Sequence, residues 1–358
     1  MKVPGIENLQ DRIRAAVADG RPLRIRGGGT KDFYGEAIAG DVLDVRALQG
    51  IVAYAPGELV VTARAGTPLV DIEAALAAHD QMLAFEPPQH GEGATLGGIV
   101  AAGFSGPRRA YAGAVRDFVL GVRIVDGTGE ALAFGGQVIK NVAGFDVSRL
   151  MTGALGTLGV LTEISLKCLP RPKSETTRVI DCSGAEAVQR VNAWGGKPLP
   201  ISATCYLQQR LWVRLSGAPA AVASALPVIG GQEADGSGFW PGLRDHALDF
   251  FGPASRGDAT LWRLSVRSTA PWTDFGGEQL LEWGGALRWI ITRDAAQAAA
   301  LRRWASEQGG HATLYRGADK SAGALHPLPA PLLGLHQRLK QVFDPAHILN
   351  RGRLYAGF

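Results

Sequence analysis

Glycine accounts for 48 of the 358 residues, close to twice the usual share of about 7%, and it is unevenly placed. Between Gly91 and Gly159 it recurs every few residues amid Ala, Ser and Thr. That is too ordered for a linker, and it calls for backbone that turns sharply or lies close to something. A separate run, Arg26-Gly27-Gly28-Gly29-Thr30-Lys31, follows a short stretch at 23–26 that reads as a strand. Successive glycines there would present backbone N–H groups unobstructed by side chains, a concave site for a diphosphate. Alone, a triple glycine is more often only a tight turn, and this one has neither GxGxxG nor GxxxxGK[ST] order.

Two further segments shift that balance. In Gly93-Ala94-Thr95-Leu96-Gly97-Gly98, Thr95 can cap a helix whose first turn carries Gly97 and Gly98, letting a phosphate or flat ring approach closely. The plainer alternative is a small-residue helix packed tightly on a sheet. The third segment runs from Lys140 through Asp146, a candidate helix cap, to Leu150, and is followed by Gly153, Gly156, Gly159 and Val160. A helix C-cap and turn would explain one of those glycines but not three.

With 46% hydrophobic and 20% charged residues, the chain can bury a large core and divides most naturally into two domains. Its net charge is +4, yet Arg and Lys never form a block, so no nucleic-acid partner is expected. Cys168, Cys182 and Cys205 are widely spaced, which offers neither a disulfide framework nor a CxxC clamp and fits a reducing cytoplasm. The N-terminus has no secretory pattern, and apolar runs such as 99–104 fall far short of a bilayer span. A cytoplasmic protein without direct membrane insertion is expected, peripheral to the inner membrane only through a partner complex.

Periodicity predicts a helix over 7–18, strands at 23–26, 42–45 and 59–63, and a helix through residue 78 entered by Thr67 and Pro68. A hairpin at 118–134, a helix at 147–152 and a strand at 159–167 complete an α+β first domain. The double-proline stretch Cys168-Leu169-Pro170-Arg171-Pro172 is the best boundary. Beyond it, strands at 177–180, 203–207, 211–215, 260–266 and 286–292 alternate with helices at 185–194 and 295–307. This suggests a largely antiparallel sheet covered on one face. The last helix is expected at 332–342. The expected division is 1–172, 173–331 and 332–358, the last segment returning to the first domain. Trp240, Trp262, Trp272, Trp283 and Trp289 suggest a partner surface or, more often for such residues, core packing.

The ordered set R-G-G-G-T-K, A-T-L-G-G-x-x-A-A-G-x-S-G-P-R-R, K-N-V-A-G-F-D-V-S-R-L and G-T-L-G-V-L-T-E resembles the FAD-binding domain of the vanillyl-alcohol-oxidase and p-cresol-methylhydroxylase (PCMH) superfamily. Within it, the wording of Ser105-Gly106-Pro107-Arg108-Arg109 and of 140–150 is most similar to the FAD-binding E subunits of bacterial glycolate oxidases. The resemblance extends to the tail, Phe343-Asp344-Pro345 with Ile348-Leu349-Asn350 and Gly352-Arg353. It implies a PCMH-type two-subdomain FAD-binding fold with a second, mainly antiparallel α+β cap domain.

By that resemblance, Arg26, Gly27, Gly28, Gly29, Thr30 and Lys31 would hold the FAD diphosphate. Pro88, Gly93, Thr95, Leu96, Gly97 and Gly98 would run along the flavin and ribityl side, with Ser105 and Gly106 close by. Gly156, Gly159 and Val160 would meet the adenine end, and Asp146 is a further candidate. Relatives with covalent FAD often carry His where Thr30 stands, so a non-covalent FAD is expected, His79 and His90 being poorly placed for attachment. The metal-binding stretch of related 2-hydroxy-acid dehydrogenases has no counterpart here, and no metal is expected. His246, His311, His326, His336 and His347 never form a ligand-like pair. Arg351 and Arg353 are the cationic candidates for catalysis, with surface cations near a C-terminus as the alternative.

The implied function is a flavoprotein subunit of a glycolate or lactate (2-hydroxy acid) oxidase complex. It would pass electrons between a catalytic FAD-linked subunit and an iron-sulfur partner, or support assembly. Two alternatives stay open: a self-sufficient FAD-dependent dehydrogenase of another small hydroxy acid or alcohol, and a structural subunit with a vestigial flavin site.

Overall fold

Leu9, Ile13 and Ala16 fall at helical spacing and are the residues that the helix Ile6–Asp19 buries. Gly20 ends that helix in a left-handed conformation at φ 64°, its N–H reaching back to the carbonyls of Ala16 and Val17. The computed structural model describes residues 5–136, 145–294 and 296–358. They divide into two units, one of Met1–Phe104, Ala114–Pro170 and Pro327–Phe358, the other of Ser105–Gly113 and Arg171–His326. The expected division at 172 and 331 placed 105–113 in the first domain; in the structure this short segment belongs to the second unit.

The first unit contains a five-stranded antiparallel sheet. Its order is Ile51–Ala55, Val60–Arg64, Val160–Lys167, Val119–Val125 and Ala131–Gly135. Beside it, Leu23–Arg26 pairs in parallel with Asp41–Asp44, Leu23 opposite Asp41. Strand 60–64 starts one residue later than the sequence suggests because Leu59 is left-handed, φ 57°. The initial helix, Leu23, Leu43, Val45, Leu48, Val125 and Val160 share one core with Ile348 and Leu349. The tail is therefore an internal part of this unit.

That return is anchored by a fully buried ion pair. Lys340 Nζ lies 2.7 Å from Asp344, with both side chains at 0% exposure. It also donates to the carbonyls of Thr157 and Leu349, each at 2.7 Å. Asp344 accepts from the amides of Ile348 and Leu349. Every charge is thus met by hydrogen bonds as well as by its partner, the condition under which a buried pair is tolerated.

The second unit is built on an eight-stranded antiparallel sheet. Its order is Gln232–Ala234, Ser174–Asp181, Arg210–Gly217, Ile201–Leu207, Gln279–Glu282, Leu287–Thr292, Thr260–Ser265 and His311–Arg316. Alternation sends Ile180, Leu211, Val213 and Leu281 to one face, where they pack with Gly184–Gly195 and Pro219–Ile229. Trp262, Leu264, Ile290 and Leu314 pack on the same face with Gln297–Glu307. Ser183 caps the first of these helices in a reciprocal box with Glu186. Trp240, Trp262, Trp283 and Trp289 are all buried, and Trp272 is partly buried against the core. The three cysteines are free thiols. Among the described residues no helix is long and apolar enough to cross a membrane.

Candidate functional site

The glycine-rich segments meet one another. A Cβ on Gly28 would lie 1.7 Å from the Gly93 carbonyl oxygen, and one on Gly27 would lie 2.5 Å from Thr95 Oγ1. One on Gly97 would press on Ala65, and one on Gly156 would fall 2.8 Å from Asn350 Nδ2. Real Cβ atoms do not approach so closely, so glycine is required here by close packing, against neighbouring backbone at Gly28 and Gly97 and against side chains at Gly27 and Gly156. The first loop is pressed onto the turn that precedes the helix Leu96–Ala102, and Thr95 caps that helix by accepting from the Gly98 amide at 3.3 Å.

Between these segments lies a cavity of about 250 Å3, lined within the first unit by residues 24–32, by Thr95, Gly97, Gly98 and Ala101, by 154–156 and Gly159, and by Asn350 and Arg353. Two observations make it suited to an anionic dinucleotide. Among the described residues, the backbone amides of Gly27, Gly28, Gly29 and Thr30 donate to no protein acceptor. Four adjacent unpaired amides are unusual in a folded chain and form a ready anion cradle. Arg24 also lines the cavity, with no ion pair among the described residues and with its Nε buried and unpartnered.

The other cations at the cavity are already engaged. Arg26 pairs with Asp32 at 2.8 Å. Lys31 Nζ donates to Thr30 Oγ1 and to the Gln89 carbonyl. The Arg353 guanidinium donates to the carbonyls of Glu36, Lys31 and Asp32 at 2.9, 3.2 and 3.0 Å. Burial holds its pKa below the usual arginine value. Arg353 is therefore a staple between the tail and the first loop, whereas Arg351 is exposed and does not line the cavity.

Of the residues singled out from sequence, the cavity collects Arg26, Gly27, Gly28, Gly29, Thr30, Lys31, Thr95, Gly97, Gly98, Gly156 and Gly159. Gly93 stands just behind, its carbonyl against Gly28. Leu96 and Val160 are core residues at 1% and 0% exposure, and Pro88 is buried outside the lining. Asp146 caps the helix Val147–Met151, accepting from Arg149; residues 140–144 of that motif lie outside the described residues. Ser105 and Gly106 belong to the second unit, where the Gly106 carbonyl accepts the Trp283 indole N–H at 3.0 Å. His79 packs on Tyr54, and His90 on Phe33 and Phe104, neither lining the cavity.

Sequence reasoning missed Arg24 and Asn350. A charged residue between Leu23 and Ile25, inside a short strand otherwise feeding a core, was the available signal for the first. Asn350 bonds Ile25 and Leu155, residues far away in sequence, and no local pattern could mark it.

Residues 3–135 match the family profile described as the FAD binding domain. Over 348 residues the chain is 50% identical to glycolate oxidase subunit GlcE of Escherichia coli K12, covering 97% of each chain. It is 31% identical to glycolate oxidase subunit GlcD of Bacillus subtilis 168 over 159 residues, 44% of this chain and 33% of that one. A solved structure of alkyldihydroxyacetonephosphate synthase superposes with a TM-score of 0.66 at 16% identity, over 96% of this chain and 75% of that chain, which shows a shared fold. The chain belongs to the family of glycolate oxidase subunit GlcE, and its N-terminal part is an FAD binding domain.

Proposed function

We propose that the chain is the FAD-holding subunit of a glycolate oxidase complex, binding the cofactor non-covalently and working beside a catalytic flavoprotein subunit and an iron-sulfur subunit. The observation that carries this is the cavity itself, where four free amides and one uncommitted arginine face a single space. Bound FAD supplies reversible electron uptake and release, chemistry that no side chain offers.

The residues of the chain bind and orient. The amides of Gly27 to Thr30 hold the diphosphate, with Arg24 supplying the counter-charge. Thr95, Gly97 and Gly98 bring backbone close to the cofactor's flat portions, and Gly156 and Asn350 close the remaining wall. Thr30 carries a hydroxyl where a covalent attachment would need an imidazole or a comparable nucleophile. The related proteins named for glycolate oxidase subunits GlcE and GlcD support the assignment to a complex.

Acid precipitation of the purified yellow protein tests the cofactor state. Flavin recovered in the supernatant is the expected result; flavin that stays with the pellet overturns the non-covalent assignment. Co-expression with a GlcD-type subunit and an iron-sulfur subunit should give one co-eluting assembly, and elution of this chain alone would overturn the complex.

A further inference from the structure

The last helix of the chain, Ala330–Phe343, has only one buried residue, Lys340. Its inner side is fixed to the first unit. Lys340 donates to the carbonyls of Thr157 and Leu349, the Phe343 ring meets Phe134 edge-on at 6.4 Å, and the His336 ring lies 6.1 Å from Phe358. Its outer side is apolar as well. Leu332, Leu335, Leu339 and Val342 fall at i, i+3, i+7 and i+10, the spacing that lines residues up along one side of a helix. Leu332 is 41% exposed, Leu335 44% and Val342 73%, and Leu339 is half-buried. A helix packed on one side turns polar residues outward; here a second apolar seam, of the kind helices bury against a partner, faces solvent.

The charge around this seam has one sign. Asp344 is the single acidic residue of the segment 327–358, and it is fully buried on Lys340. Arg338 stands between Leu335 and Val342, at i+3 from the one and four residues before the other, so it neighbours both on the helix surface. Its guanidinium lies back along the helix, 3.7 Å from where a Gly334 Cβ would be. Arg351 is close enough to this helix to add, after desolvation, to the lowering of the Lys340 pKa. Both arginines are exposed, and neither has an ion pair or side-chain hydrogen bond among the described residues.

This combination selects the occupant. A second copy pairing through the same face about a two-fold axis would set Arg338 and Arg351 against a surface with no exposed carboxylate to answer them. A helix lying in a membrane surface has a polar face rich in Lys and Arg, whereas this one carries Gln337 and Gln341 beside Arg338. An apolar groove bordered by carboxylates answers both features, as when an amphipathic helix is laid into a protein groove. The same segment continues through the Lys340 anchor to Asn350 and Arg353, which wall the cofactor cavity, so a protein seated on the helix is joined to the part of the chain that holds the cofactor. We propose that the face formed by Leu332, Leu335, Leu339 and Val342, with Arg338 at its border, docks the catalytic flavoprotein subunit, which receives it in an apolar groove bordered by Asp or Glu. The identity of the partner rests on the assignment to a glycolate oxidase complex made above.

The test is calorimetric titration of the full-length, flavin-loaded chain with the purified GlcD-type subunit. Wild type should bind, and more weakly as salt rises. Leu335→Ser combined with Val342→Ser should weaken binding about 10-fold or more, as loss of apolar anchors implies. Arg338→Glu should weaken it by a similar factor and flatten its salt dependence. The replaced side chains are exposed, so flavin content and melting temperature should not change. Val70→Ser, at a 54% exposed position on the helix Leu69–Ala77, should bind as wild type does. Unchanged affinity in the double variant or in Arg338→Glu, or an equal loss in Val70→Ser, would overturn the surface and leave the complex standing. Absence of any binding by the wild-type chain would overturn the complex and the surface together. Sedimentation of the chain alone as a dimer that the double variant loses would give the face to a second copy, and flotation with phosphatidylglycerol vesicles that the double variant loses would give it to a membrane; either result overturns the proposal.

Discussion

Asn350 Oδ1 accepts the backbone N–H of Ile25 at 2.8 Å across 325 residues of sequence, while its Nδ2 donates to the Leu155 carbonyl at 2.6 Å. The Asn350 amide adds a third bond, to the Leu23 carbonyl at 2.9 Å. One residue of the tail thus fixes the strand before the first glycine loop and the loop that brings Gly156 to the cavity. Asn350→Leu leaves one buried and one part-buried backbone group without its partner and should cost about 2–3 kcal/mol of stability. Urea unfolding measures that loss, and flavin content per chain should fall with it; a variant of unchanged midpoint and full flavin would show the tail to be dispensable.

Arg24 is expected to contribute charge where the loop amides contribute geometry. Arg24→Met should raise the FAD dissociation constant about 10-fold at low salt, the worth of one charged hydrogen bond. The difference should shrink as ionic strength rises. Fluorescence-quench titration of apoprotein with FAD gives both values. Equal affinities at low salt would assign Arg24 no part in binding.

Lys340 and Asp344 have a different kind of role, since neither lines the cavity. Lys340→Met strands a buried carboxylate and should destabilise by about 3–5 kcal/mol, whereas replacing both partners with apolar residues should recover much of the loss. Thermal unfolding of the single and double variants tests this. Desolvation holds the Lys340 pKa below the usual lysine value, against the opposing pull of Asp344.

His311 gives the protein an acid-side weakness. Its folded pKa, pushed down to about 4 by desolvation first and then by Arg263, His326 and Arg109, is lower than the ordinary value of 6.5, so the unfolded chain binds this proton more readily. The associated stability is fully present above pH about 6.5 and is lost as pH falls toward about 4. His326 is shifted in the same direction, by desolvation and then Arg302. Denaturant midpoints for wild type and His311→Gln should converge between pH 7 and pH 4.5, and parallel curves would count against the prediction.

Local pattern was enough for much of the secondary structure. The spacing of Leu9, Ile13 and Ala16 specifies the helix Ile6–Asp19, and the alternation at 118–134 specifies a hairpin, because both depend on neighbours within a few residues. The strands Ile51–Ala55, Gln279–Glu282 and His311–Arg316 and the helix Pro219–Ile229 were not read. Such short strands acquire their conformation from the partners they pair with, and the helix carries Pro227 inside it.

The site divides the same way. Sequence alone marked three glycine-rich segments and the order in which they occur, since glycine is needed wherever backbone must pass within reach of other backbone. What each glycine approaches was decided by the tertiary fold: Gly28 meets Gly93, Gly97 meets Ala65 and Gly156 meets Asn350. Which side of the helix Ala330–Phe343 faces inward was decided there too, because that helix is apolar on both sides and the partners of Lys340 and Phe343, Thr157 and Phe134, are distant in sequence. A one-dimensional chain records which residues can tolerate such contacts; only closure of the chain, by packing energies that act between residues distant in sequence, determines which contacts are made.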